Sequence, residues 1–284
     1  MATQDTIRIA SYVTVLVLMA MWEFAAPRRP PTVSKICRWG GNLTIVALNT
    51  VIARLLFSGG AVSVAVMAQE RGWGLLSLVD GPVWLETAMA ILALDFIIYW
   101  QHRLFHVVPL FWRFHMMHHS DLDLDVTSGV RFHPVEIVLS LMVKAAAVMA
   151  LGASPFAVMI FEVVLNATSL FNHSNVAIPR RLDRLLRRVV VTPDMHRIHH
   201  SANVCETNSN YGFNVPWWDR LFGTYCHEPA LGHLGMTIGL EHLGTRVCMN
   251  IFRMLSLPFE AARGATGRRS GVKPGQSLVE AVSK

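Results

Sequence analysis

The stretches RFHMMHHS at 113–120 and DMHRIHHS at 194–201 write the same pattern twice, His-x-x-His-His-Ser. On an α-helix, residues i, i+3 and i+4 share one face. Each stretch therefore presents three imidazoles side by side: His115, His118 and His119 in the first, His196, His199 and His200 in the second. HRLFH adds His102 and His106, an i, i+4 pair, while RFHPVE adds His133 and FNHSN adds His173. These ten account for most of the thirteen histidines. A lone histidine is usually a surface residue or a satisfied core residue, but ten gathered on helical faces are not. Protonated, such a cluster would repel itself, so something must bind the neutral rings, and metal does. One triplet cannot supply two adjacent metals, which predicts that each triplet gives most of its imidazoles to one shared two-metal site. Each histidine of the second triplet lies 81 residues after its counterpart, yet nothing else recurs between the segments, so no internal repeat is expected. His227, His233 and His242 fall outside these stretches and read as ordinary.

The surroundings are those of a membrane protein. Of 284 residues, 52% are hydrophobic and only 15% charged, which points to several spans. The net charge of +6 lacks an aromatic-interleaved basic module, so no nucleic-acid partner is expected. Arg28, Arg29, Lys35 and Arg38 follow the first apolar run, 9–26, and mark a cytoplasmic loop. That run has no basic leader and no small-residue cleavage site, and reads as a retained span. The four cysteines have no CxxC spacing and imply no disulfide framework. A second run at 41–68 is interrupted by Arg54 and by Ser58-Gly59-Gly60, where a bend is expected. Residues 83–101 form the third span. The two apolar halves of 137–171 meet at LGASP and read as a hairpin or a broken fourth span, neither half comfortably crossing alone. The expected divisions are membrane helices over 1–101, a first histidine region over 102–136, the hairpin over 137–171, a cap over 172–258 and a flexible basic tail over 259–284.

Several further residues invite a role. Asp95, seven residues before His102, either orients a ligand histidine from another segment or makes an interhelical polar contact. Glu136 reads as an acceptor for an imidazole N–H, with a helix-start charge favoured by the macrodipole as the rival. Asn172, Asn175 and Asn210 hold ligands in orientation or form turns. Asp219 and Arg220 read as a local ion pair. RRLDRLLRR at 180–188 reads as an amphipathic helix on anionic headgroups, with docking of an acidic electron donor as the rival. Imidazole suits zinc, copper, iron and nickel alike. The residues between the histidines are Met116-Met117 and Arg197-Ile198, with no glutamate placed as a general base. That weakens a zinc-dependent hydrolase without removing it, and a metal-binding membrane protein also stays open.

Taken in order, HRLFH, RFHMMHHS, RFHPVE, FNHSN, TPDMHRIHHS, NSNYG and WWDRLFGTY resemble the fatty acid hydroxylase / sterol desaturase superfamily over about residues 90–226. The resemblance implies an all-α polytopic membrane protein with about four transmembrane helices and a cytosolic, helical, histidine-rich cap. It implies two iron ions, for which zinc can substitute in purified protein, with O2 as co-substrate and an apolar lipid as substrate for hydroxylation or desaturation. It implies His102, His106, His115, His118, His119, His133, His173, His196, His199 and His200 as metal ligands, with Asp95, Glu136, Asn172 and Asn210 behind them. It places the site on the cytosolic side of a bacterial inner membrane or an ER-like membrane. With no cytochrome b5-like domain attached, electrons are expected from a separate carrier, a ferredoxin or a cytochrome b5-like protein with its reductase. Some fatty acid hydroxylases carry a histidine four residues before the position of His173; Ser169 stands there, which favours the sterol-oxidising branch.

Overall fold

The computed structural model describes residues 2–78, 80–240, 243 and 250–269. Helix α1 is Ala2–Ala25, α2 Lys35–Leu56, α3 Gly60–Glu70 and α4 Val83–Val107. Helix α5, Pro109–His119, follows α4 after a single residue, with proline at its first position. Helix α6, Pro134–Leu151, and α7, Pro155–His173, form an antiparallel pair closed by Gly152 at φ 65. The cap carries the short helices α8 (Arg180–Leu186), α9 (Pro193–His199), α10 (Val204–Thr207), α11 (Trp217–Leu221) and α12 (Gly232–Gly235). Helix α13, Ile251–Arg269, packs on α5.

Among the described residues, five helical stretches are long and apolar enough to cross a membrane: Gln4–Ala25, Lys35–Leu78, Val83–Val107, Pro134–Leu151 and Pro155–His173. The expected bend in the second run is realised, since α2 ends at Leu56 and α3 begins at Gly60. The hairpin differs from expectation. Each arm is long enough to cross alone, because α6 starts at Pro134 and α7 continues to His173, beyond the purely apolar residues. Helix α13 likewise runs through Pro258 to Arg269, where a flexible tail is expected from 259. His242, Cys248 and residues 270–284 lie outside the described residues.

The spans meet through small side chains. Ala61, Ala65, Ala90, Ala147, Ala153 and Ala157 are buried together with Leu94, Ile98, Val148, Val158 and Phe161. Hydrocarbon tails leave no hydrophobic drive between helices, so close backbone approach supplies the attraction. Within this layer Glu162 of α7 is held by Arg8 of α1 at 2.8 Å and Lys144 of α6 at 2.9 Å, so this buried carboxylate is paired.

The cap is tied to the spans by a second, buried set of charges. Arg38 Nε and one NH2 donate to the two carboxylate oxygens of Asp121 at 2.7 and 2.8 Å, and NH1 reaches Asp125 at 2.7 Å. Burial alone would raise the Asp121 carboxyl, but the Arg38 guanidinium overrides it and holds it down at about 2. Arg131 donates to the Met117 carbonyl, which fixes the end of α5, and to Asn42 of α2. Arg28 binds Asp194, Arg29 binds the carbonyls of His233 and Met236, and Lys35 binds Glu23. All four cations of the first loop thus have protein partners. Removing Arg38 leaves two buried carboxylates unpaired, which costs about 3–5 kcal/mol. Thermal unfolding in detergent should therefore fall sharply for Arg38→Ala and shift little for Arg54→Ala, an exposed cation whose loss is worth within about 0.5 kcal/mol.

Candidate metal centre

The last turns of α4, α5 and α7 and the whole of α9 converge under the cap. His102 and His106 come from α4, His115, His118 and His119 from α5, His173 from the end of α7. His196 and His199 come from α9, and His200 caps it. The intervening Met116 and Met117 face away and pack with Ile45, Met254 and Leu257, as the helical period requires. All four helices bring their carboxyl ends, the negative ends of their dipoles, toward the same place, which favours a cation there.

Nine of the ten predicted ligands fall into two adjacent groups. One holds His102, His106, His115, His119 and His199; the other holds His118, His173, His196 and His200, with candidate ligand atoms in each group within 4.8 Å of one another. The groups touch through the stacked rings of His119 and His200, centroids 4.4 Å apart.

The protons of these rings can be placed from their outer partners. His102 Nδ1–H donates to the Tyr211 carbonyl at 2.7 Å, His199 Nδ1–H to the Ser209 carbonyl at 2.7 Å and His115 Nδ1–H to Glu136 Oε1 at 2.7 Å. Each of the three therefore turns an unprotonated Nε2 inward. His102 Nε2 lies 3.2 Å from that of His115 and 3.1 Å from that of His199. In the second group His173 Nδ1–H donates to the Ser169 carbonyl at 2.8 Å. Its Nε2 lies 3.1 Å from His118 Nε2 and 3.0 Å from His196 Nε2. Among His102, His115 and His199 the converging lone pairs have no proton to share and repel one another. Both nitrogens of His106 and His200 and one of His119 are also buried without a hydrogen bond. These residues fit a metal in each group.

Electrostatics agrees. Burial first, and neighbouring imidazoles second, push His115, His118, His119, His196 and His200 well below the usual histidine range, and burial and His102 do the same to His199. The rings are neutral donors at any physiological pH. Phe132 stacks on His118 at 4.4 Å and Phe213 meets the edge of His102 at 5.1 Å, which keeps water out.

The other predicted residues divide. Glu136 holds His115 as expected. His133 stands outside both groups; its Nδ1 accepts from Val135 N and caps α6. Asp95 touches no ligand and accepts from Trp218 Nε1 at 2.8 Å, an interhelical contact that draws α11 onto α4. Asn172 donates to the Phe213 carbonyl and Asn175 pairs with the backbone of Arg29. Asn210, at φ 50, donates to the carbonyls of Met195 and Cys226 and so fixes α9. Asp219 does not pair with Arg220. It is buried and accepts from the backbone N–H of Tyr211 and Gly212, both at 2.8 Å, so it sets the carbonyl that orients His102. Burial pushes its carboxyl up to about 6 despite these bonds. Gly129 completes the site, because a Cβ there would lie 2.6 Å from the Ser169 carbonyl that His173 uses. Ser169 Oγ itself bonds the Gly129 carbonyl at 2.8 Å.

Two substitutions separate these roles. Glu136→Gln exchanges a carboxylate acceptor for an amide and should weaken metal retention about 10–100-fold. His133→Ala should keep full metal content and lose only a helix cap, about 0.5–2 kcal/mol. Metal remaining after dialysis against chelators of graded strength, measured beside thermal unfolding, checks both.

Residues 87–224 match the sequence profile of the fatty acid hydroxylase family. An ornithine lipid hydroxylase from Rhizobium tropici is 33% identical over 204 residues, 70% of this chain and 57% of that protein. An alkylglycerol monooxygenase from Xenopus tropicalis is 31% identical over 153 residues, 52% of this chain and 32% of that protein. A very-long-chain aldehyde decarbonylase from Arabidopsis thaliana is 25% identical over 146 residues, 46% of this chain and 21% of that protein. The chain thus spans from about a fifth to just over half the length of these relatives. No solved structure matches it. On its histidine motifs, their convergence and these relatives, the chain belongs to the fatty acid hydroxylase / sterol desaturase superfamily.

Proposed function

We propose that this chain is an integral membrane oxygenase that hydroxylates or desaturates the alkyl portion of a lipid, using O2 and electrons from a separate carrier. The observation that carries the proposal is the pair of adjacent histidine groups with unprotonated nitrogens turned inward. An all-imidazole, buried, two-metal site suits redox chemistry at iron, and relatives named as lipid hydroxylase and monooxygenase support that choice. Iron bound there supplies the reduction of O2 and the oxidation of an unactivated C–H bond, which no side chain performs.

The chain's own residues do the rest. His102, His106, His115, His119 and His199 hold one ion, and His118, His173, His196 and His200 hold the other. Glu136 and the carbonyls of Ser169, Ser209 and Tyr211 keep Nδ1 of His115, His173, His199 and His102 protonated and their Nε2 free. Phe132, Phe213 and Tyr211 pack against His118, His102 and His106 and would keep water from metal held there. The site faces the cytosol, where a ferredoxin or a cytochrome b5-like protein with its reductase delivers electrons. As for the substrate, relatives named as an ornithine lipid hydroxylase, an alkylglycerol monooxygenase and a very-long-chain aldehyde decarbonylase favour an acyl or alkyl lipid over a sterol. Ser169 leaves room for either, since it serves α7 and the Gly129 turn.

The test uses protein purified in mild detergent, stripped with chelator and reloaded. Iron, about two per chain, should restore O2 uptake that depends on added lipid and on a reductant, with labelled oxygen from O2 entering hydroxylated product. Zinc, which has no redox chemistry, should restore none. His200→Ala should reduce turnover to background. Zinc-dependent hydrolysis of a lipid ester or amide without O2 uptake would overturn the proposal.

A further inference from the structure

One edge of the cap remains unused by the metal centre. Helix α8 and the residues after it have two faces. The inner face is fixed: Asp183 and Arg187 are buried and paired at 2.6 Å, and Asp183 also accepts from Thr192 Oγ1. The outer face exposes Arg180, Arg181, Arg184 and Arg188. Between them it exposes an apolar stripe, Leu182 at 45%, Leu185 at 58% and Val189 at 57%. The i, i+3 spacing of Leu182 and Leu185 puts them on one side of the helix, and Val189 follows in the turn after it. Helix α11 continues the stripe. Trp217 donates its Nε1–H to the Arg188 carbonyl at 2.7 Å, and both Trp217 and Leu221 are exposed, at 43% and 69%.

The position of this edge is the second observation. Helix α11 is seated on α4, where Trp218 bonds Asp95 and packs on Phe96, and Phe222 packs on Trp100. Asp95 lies seven residues before His102 on α4, about 10 Å along its axis. The edge therefore lies beside a spanning helix, not beyond its end.

We propose that α8 and α11 form an interfacial anchor for anionic phospholipid in the leaflet nearer the histidines. Leu182, Leu185, Val189, Trp217 and Leu221 enter the acyl boundary. Arg180, Arg181, Arg184 and Arg188 reach up along it to headgroup phosphates. An acidic soluble carrier explains the arginines, but not the apolar stripe between them or its level beside α4. The anchor holds the cap against the bilayer from which an apolar substrate must come, and it stands whichever metal the centre binds.

The experiment compares amide hydrogen exchange of 180–189 and 217–222 in the full chain. One sample is in nanodiscs of phosphatidylcholine, the other in equal parts phosphatidylcholine and phosphatidylglycerol. Exchange should be slower with phosphatidylglycerol, and raised salt should reduce the difference. Replacing Arg180, Arg181, Arg184 and Arg188 by Gln should remove it, at about fivefold in lipid preference per arginine. The wild-type comparison needs no substitution, so a misfolded variant leaves the test intact. Equal exchange in the two bilayers overturns the proposal, as does protection that appears only on adding reduced ferredoxin.

Discussion

Nine neutral imidazoles must be held with their lone pairs aimed at one another, and most of the remaining structure answers to that constraint. Left alone, such nitrogens repel or take up protons. Here burial removes the second option, and fixed acceptors for Nδ1 of His102, His115, His173 and His199 keep those four rings from rotating. What remains is a set of donors organised before any cation arrives. The ordering cost is met during folding, chiefly by the buried Arg38 and Arg131 networks that pin the end of α5 to α2.

The membrane portion serves the same end by different physics. Its helices meet through alanines and small apolar side chains, and the buried Glu162 within it is neutralised by Arg8 and Lys144. Polar chemistry is confined to one end of the bundle, where α4 and α7 finish, α6 begins and the cap closes over them. A hydrocarbon substrate and a buried metal centre can meet only at such a boundary, since the first is insoluble in water and the second needs polar groups to orient its ligands.

Much of this was legible in the sequence, for identifiable reasons. Helical periodicity is local, so the two triplets and the His102–His106 pair were readable as shared faces, and the break at Ser58-Gly59-Gly60 followed from composition. Glu136 was legible because it sits one turn from a histidine-bearing stretch. What the sequence hid depends on contacts between distant segments. His133 resembles the ligands by motif, but its ring is taken by the start of α6. Asp219 has a cation beside it in sequence, yet in space it serves the Tyr211 and Gly212 amides. The carbonyls of Ser169, Ser209 and Tyr211 orient three ligands, and a backbone carbonyl leaves no mark on residue type. Arg38 lay at the start of an apolar run and read as a topology signal, while its partners in DLDLD are more than eighty residues away.

The central claim is that the histidines form two metal sites of fixed membership. Anomalous scattering at the iron edge from crystals of the iron-loaded protein tests it most directly. Two peaks are expected, one among His102, His106, His115, His119 and His199 and one among His118, His173, His196 and His200. A single peak, or a peak at His133, would contradict the account.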